Sequence, residues 1–125
     1  MKPSVLVVDD EPNIVLSLKF LMQEAGFEVR VAGDGQEALR AIRERLPDLI
    51  LLDLMLPKRD GFDLCRIIRA NPKWAGTRIV ILTARSREAE REKGLALGAD
   101  DYIIKPFSTR ELVECVKYHL ETARA

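Results

Sequence analysis

Four apolar runs along this chain each end on a polar residue. Val5-Leu6-Val7-Val8 is followed by Asp9 and Asp10, Leu49-Ile50-Leu51-Leu52 by Asp53, Ile79-Val80-Ile81-Leu82 by Thr83, and Tyr102-Ile103-Ile104 by Lys105 and Pro106. Runs this short that are apolar at every position predict strands buried on both faces, and Glu28-Val29-Arg30-Val31 adds a fifth strand. Between the runs the spacing turns helical. Ile14, Leu18, Leu21, Met22 and Ala25 form an inward stripe, and Gly26 is placed to cap that first helix at its C-terminus. Leu39, Ile42 and Leu46 mark a second helix stopped by Pro47, and Cys65, Ile67 and Ile68 a third that closes near Asn71-Pro72. A fourth, from about Arg87 to Leu97, is mostly charged. Its apolar content is Ala89, Leu95, Ala96 and Leu97, so it should be the least firmly docked. Ser108 or Thr109 can cap a fifth helix, with Glu111 or Leu112 opening its first turn and Leu112, Val113, Val116 and Leu120 facing inward.

This unbroken alternation of about 25-residue strand-helix units predicts an α/β fold with helices on both faces of a five-stranded parallel sheet. The doubly wound order 2-1-3-4-5 puts the switch point between strands 1 and 3, where Asp9, Asp10 and Asp53 would meet. Residues 1–125 read as one domain, with no repeat, low-complexity tract or linker.

Lys plus Arg and Asp plus Glu both total 20, so no global field draws the chain to nucleic acid or an anionic membrane. Neither is expected as a direct partner. No apolar stretch approaches the roughly 20 residues of a membrane span, and Met1-Lys2-Pro3 leads into a strand without a signal-peptide core, which points to the cytoplasm. Cys65 and Cys115 lack Cys-x-x-Cys spacing and read as reduced structural thiols. His119, near the end of the last helix, reads as a structural cation favoured by the helix dipole.

Three carboxylates in one pocket repel, so the cluster must raise a pKa or recruit a cation. Mg²⁺ is the natural choice, because it takes oxygen ligands and is typically held by one or two carboxylates together with a phosphate. Two carboxylates on strand 1 can hold the ion while Asp53, on strand 3, attacks phosphorus. The Lys105 ammonium and the ion would offset the developing charge, and the Thr83 hydroxyl would add a hydrogen bond.

Val7-Val8-Asp9-Asp10-Glu11-Pro12, Leu52-Asp53-Leu54-Met55-Leu56-Pro57 with Asp60-Gly61, Leu82-Thr83-Ala84, and Gly98-Ala99-Asp100-Asp101-Tyr102-Ile103-Ile104-Lys105-Pro106-Phe107 together resemble the response-regulator receiver domain of two-component signalling. Each motif alone is weak; all of them in order make a specific match that covers essentially the whole chain. The resemblance implies the flavodoxin-like sheet already inferred. It also implies a phosphoacceptor that takes its phosphoryl group from the phosphohistidine of a sensor histidine kinase or phosphotransfer protein. Carried over by position, Asp53 is the phosphoacceptor, Asp10 a direct Mg²⁺ ligand, Asp9 a ligand largely through water, and the Met55 carbonyl the completing ligand. Thr83 and Tyr102 are the switch pair, and Lys105 binds the phosphoryl group and joins Pro106 through a cis peptide. Taken singly, these residues have ordinary readings: Asp as cap or turn, Thr and Tyr as strand residues, Lys as a solvated cation.

The rival class is a Mg²⁺-dependent phosphatase or phosphotransferase with an aspartyl-phosphate intermediate. Such enzymes need a second acid/base carboxylate beside the nucleophile and a substrate cap, whereas Leu54, Met55 and Leu56 follow Asp53. A metal-independent interaction module is disfavoured because every acidic position is filled. The resemblance implies output through helix 4, strand 5 and helix 5, toward a downstream protein or an output domain. The opening Met1 and the ending Ala123-Arg124-Ala125 favour a stand-alone receiver. Met55 and Arg85, which in the family flank the path of the hydrolytic water, imply slow self-dephosphorylation. Receivers of winged-helix transcription factors dimerise through charged pairs on this face. Arg91 and Glu111 match one pair, but Cys115 stands where Asp101 would seek a basic partner, so a monomer or a weak, phosphorylation-dependent dimer is expected.

Overall fold

The computed structural model describes residues 2–56, 60–84 and 88–121, so the expectations on Pro57, Arg85, Arg87, Ala123, Arg124 and Ala125 lie outside the described residues. In chain order the elements are β1 (Ser4–Val8), α1 (Pro12–Glu24), β2 (Glu28–Ala32), α2 (Gly35–Glu44), β3 (Leu49–Asp53), α3 (Gly61–Ala70), a 3-10 turn (Pro72–Trp74), β4 (Arg78–Thr83), α4 (Glu88–Ala96), β5 (Asp101–Ile104) and α5 (Thr109–Glu121). All strand pairs are parallel and the order is β2-β1-β3-β4-β5, the doubly wound arrangement the sequence pattern predicts.

Alternation along the strands divides the apolar side chains between two cores. Leu6, Val8, Ile50, Leu52, Ile79 and Ile81 pack with Ala38, Ile42, Phe62, Leu64 and Ile68 from α2 and α3. Val5, Val7, Leu49, Leu51, Val80 and Leu82 pack with Leu18, Met22, Leu112 and Val116 from α1 and α5. A fully buried aliphatic side chain contributes about 1.5–3 kcal/mol, far more than any strand or helix propensity, so this two-sided burial decides the topology. β2 is an edge strand: Val29 is half-buried, Val31 is exposed, and Arg30 on the other face donates to the Ala41 and Arg45 carbonyls at the end of α2.

Three helix ends differ in detail from the sequence pattern or fill it out. Gly26, with φ of 95°, follows α1 as expected of a C-terminal cap. The second helix stops at Glu44, before Leu46, because Pro47 disfavours helical backbone at the residue before it and Arg45 is already extended at φ −161°. α5 starts at Thr109, two residues earlier than Glu111, because the Ser108 hydroxyl takes the cap position and accepts the Glu111 N–H at 3.0 Å. α4 is docked weakly, as its charge predicts: its single buried residue is Gly94, where an added Cβ would stand 2.8 Å from Ile81 Cδ1. At the opposite end of the sheet Arg69 ties α3 to the start of β5. It donates to Asp100 Oδ2 at 2.8 Å, to the Gly98 carbonyl at 2.7 Å and to the Thr77 carbonyl at 2.8 Å.

Candidate functional site

The polar residues that follow β1 and β5 and end β3 and β4 gather at the carboxyl edge of the sheet. Asp9 is buried because β1 carries it between β2 and β3, where its N–H donates to the Ala32 carbonyl at 3.1 Å. Its Oδ1 accepts the Glu11 N–H at 2.9 Å, which turns the chain into α1, and Glu11 then caps that helix by accepting the Ile14 N–H at 2.9 Å. Asp53 ends β3, paired with Leu82, and its Oδ1 accepts the Met55 N–H at 3.1 Å. Carboxylate oxygens of Asp9, Asp10 and Asp53 lie within 4.8 Å of one another. Asp10 is exposed, so the cluster opens to solvent on that side.

Lys105 supplies the counter-charge. Its Nζ is 3.1 Å from Asp9 Oδ2 and 3.7 Å from Asp53 Oδ2. The peptide between Lys105 and Pro106 is cis, and the Lys105 N–H donates to the Thr83 carbonyl at 2.8 Å, which ties β5 to the end of β4. Burial pushes the Asp53 carboxyl above the ordinary carboxylate value. The Met55 N–H and the Lys105 ammonium pull it back, while the charges of Asp9 and Asp10 push it further up. A divalent cation is the obvious relief. Hard oxygen donors alone, close together and half open to water, fit Mg²⁺, which keeps several waters and rejects sites rich in nitrogen or sulfur.

The structure therefore brings Asp9, Asp10, Asp53 and Lys105 into one cluster, with fully buried Thr83 held beside it through its backbone. The Met55 side chain points outward, 55 % exposed, and only its main chain serves the cluster. Tyr102 lies away from the carboxylates, its ring buried in the core with Phe62 and Ile81, near Gly94 of α4.

Two features escaped the sequence reading. Gly61 lets the start of α3 lie against the end of the acidic strand: a Cβ there would come within 2.8 Å of the Asp53 carbonyl and 2.7 Å of Leu54 Cα, and the Gly61 N–H donates to the Leu54 carbonyl at 3.1 Å. The pair Asp60-Gly61 at the start of α3 was the available signal. Asp101, expected to lack a basic partner, has one in its own chain, since His119 Nε2 lies 2.9 Å from its Oδ2. His119 thus ties the last helix to the start of β5. It stands four residues, one helical turn, beyond Cys115 on α5, a spacing visible in the sequence.

The chain belongs to the response regulator receiver domain family, whose model matches residues 5–117. Receivers of this family are signalling switches of two-component systems. The chain is 47% identical over 124 residues to the phosphate regulon transcriptional regulatory protein PhoB of Rhizobium meliloti (strain 1021), covering 99% of this chain and 55% of that protein. It is also 47% identical over 120 residues to the DNA-binding response regulator MtrA of Mycolicibacterium smegmatis, covering 96% of this chain and 51% of that one. It thus spans about half the length of these relatives. Among solved structures, a CheY-like receiver domain protein from Methanospirillum hungatei JF-1 superposes with a TM-score of 0.91 at 30% identity, over 97% of this chain and 95% of that one. Among the described residues no helix is long and apolar enough to cross a membrane.

Proposed function

We propose that Asp53 accepts a phosphoryl group from the phosphohistidine of a sensor histidine kinase or phosphotransfer protein, and that the α4–β5–α5 face reports its presence. The observation that carries this reading is the junction of three carboxylates within 4.8 Å with a lysine ammonium 3.1 and 3.7 Å from two of them. An Asp53 carboxylate oxygen forms the bond to phosphorus while the P–N bond to the donor imidazole breaks. Lys105 turns from its carboxylate partners to the incoming phosphoryl oxygens, and the N–H of Met55 holds the other Asp53 oxygen in place. Asp9, Asp10, Asp53 and the Met55 carbonyl are the residues that would hold Mg²⁺, which when bound neutralises charge on the transferred group.

Thr83 and Tyr102 are the switch pair in this proposal, and α4 is the element they move. Its support is the shallow docking of α4, with one buried residue and Leu95 39 % exposed, since few buried contacts make an element easy to shift. The domain acts in the cytoplasm, as a switch and not a turnover enzyme, on a downstream protein or an output domain. It binds neither nucleic acid nor membrane directly, and it is a monomer or a weak phosphorylation-dependent dimer. Labelling with acetyl phosphate and Mg²⁺, read by mass spectrometry, tests the assignment. We expect stoichiometric label on Asp53 that disappears in Asp53→Asn and in excess chelator. Label elsewhere, or continuous release of phosphate from a generic phosphate ester, overturns it.

A further inference from the structure

The cluster on the α4–β5–α5 face has a different chemistry from the acidic pocket. Asp101 opens β5, and Cys115 and His119 sit at i and i+4 on α5, where successive turns place side chains one above the other. The Cys115 thiol donates to Asp101 Oδ2 at 3.3 Å, His119 Nε2 is 2.9 Å from the same oxygen, and one ligand atom from each residue lies within 4.8 Å of the others.

We propose that Asp101, Cys115 and His119 form a second metal site, for a borderline-soft divalent ion of the Zn²⁺ class. The donor set argues for that class, because thiolate and imidazole select zinc-like ions over Mg²⁺ or Ca²⁺. Distances agree. In a tetrahedral site with arms of about 2.0–2.3 Å, neighbouring ligand atoms stand about 3.4–3.6 Å apart, so the present spacings of 2.9 and 3.3 Å need to open by only a few tenths of an ångström. A rotation of the Asp101 carboxylate, whose side chain is 40% exposed, supplies that movement. His119 is held in position by its ring against Tyr118, with centroids 5.0 Å apart, and by its carbonyl, which accepts Arg78 Nε at 2.9 Å.

Access and charge also suit an incoming cation. Asp101, Glu111 and Cys115 line an open groove of about 580 Å³, and the Glu111 carboxylate adds negative charge toward the thiol. Burial first, and then the charges of Asp101 and Glu111, push the Cys115 thiol up to about 12. The thiol donates its hydrogen to Asp101 Oδ2, and the metal takes the place of that hydrogen. Binding releases the thiol proton to solvent, and the hydrogen that Nε2 turns toward Asp101 in the metal-free protein is given up to solvent or replaced by one on Nδ1, which frees Nε2 to ligate. Three protein ligands leave a fourth position for water, on the face where the switch is read.

Co²⁺ is the probe, added to the whole chain with a non-thiol reductant and excess Mg²⁺ to fill the oxygen-only cluster. We expect a thiolate-to-cobalt charge-transfer band, with the intense visible bands of tetrahedral geometry, saturating at equimolar metal and displaced by Zn²⁺. Cys115→Ser abolishes the charge-transfer band. His119→Gln and Asp101→Ala each weaken binding by at least about 10–100-fold, the loss seen even for groups that only support a ligand. Labelling of Asp53 by acetyl phosphate, retained in each variant, confirms that it is folded. Absence of the band in the parent protein, its persistence in Cys115→Ser, or unchanged affinity in His119→Gln overturns the site.

Discussion

Replacing Lys105 with Met removes an ammonium that stands 3.1 Å from Asp9 and 3.7 Å from Asp53 while keeping a chain of similar length. At an effective dielectric of about 20 each contact is a gross attraction of about 4–5 kcal/mol. Two effects shrink the net loss: the variant no longer strips water from the ammonium, and Asp53, already raised by burial, can take up a proton. Breaking a buried pair costs about 3–5 kcal/mol; for a cluster open on the Asp10 side we expect about 1–3 kcal/mol at neutral pH in chelator. Mg²⁺ then offsets the loss. The variant has shed the cation that competes for the carboxylates, so the ion binds it more tightly, and a ligand at about 100 times its Kd stabilises by about 2.7 kcal/mol. Urea unfolding at fixed ionic strength, in chelator and in Mg²⁺, measures both. The gap between variant and parent should at least halve when Mg²⁺ is present. A variant as stable as the parent in chelator, or one that gains less from Mg²⁺ than the parent does, refutes the claim that Lys105 neutralises this cluster. The rate of labelling at Asp53 should also fall, by about 10²–10³ if Lys105 stabilises the transferring group as a fixed donor would.

The raised Asp53 carboxyl in metal-free protein carries a pH signature: its contribution to stability is full below the unfolded value and is lost as pH rises through the folded one. Asp53→Asn should therefore stabilise the protein in chelator at neutral pH and do progressively less in acid, and a neutral-pH loss in urea unfolding contradicts this. Gly61→Ala drives a Cβ into the backbone of Asp53 and Leu54 and should cost about 1–3 kcal/mol, whereas Gly94→Ala meets only the tip of Ile81 and gains helix propensity, for a net change within about 1 kcal/mol. Thermal unfolding separates the two, and equal losses would refute the distinction between backbone and side-chain neighbours. A Met55→Asn, Arg85→Glu variant should lose phosphate several-fold faster than the parent, because a small polar pair hinders the hydrolytic water less; an equal or slower loss counts against that. Sedimentation at micromolar concentration should show a monomer, with at most weak dimerisation in beryllofluoride. A stable dimer of unactivated protein would mean that the Asp101–His119 contact does not withdraw Asp101 from intermolecular pairing.

The sheet was legible because burial on both faces leaves a direct trace: Val5–Val8, Leu49–Leu52 and Ile79–Leu82 are apolar at every position, and nearly all of these side chains are sealed from water. Convergence of Asp9, Asp10 and Asp53 followed from the parallel order, since residues that end adjacent strands must be neighbours. What the pattern hid depends on contacts between distant segments. Helix periodicity ran on to Leu46 because periodicity carries no record of the extended backbone at Arg45. The Arg69–Asp100 tie and the Asp101–His119 contact join residues 31 and 18 positions apart through side chains whose reach has no sequence period. Gly61 looked like any turn glycine, and only its place in the fold shows that it is pressed against the strand bearing Asp53.

Lys105 and Asp9 touch although they stand 96 positions apart in the chain. A chain still emerging from the ribosome has the three carboxylates well before it has the lysine, and no strand order closes until β5 is laid against β4. With Asp53 as acceptor and Lys105 as its counter-charge, as proposed above, competence to take up a phosphoryl group belongs to a receiver that has laid down β5 and to no fragment lacking it. On that reading, a receiver whose β5 has yet to emerge or has been cut away draws no phosphoryl groups from a kinase.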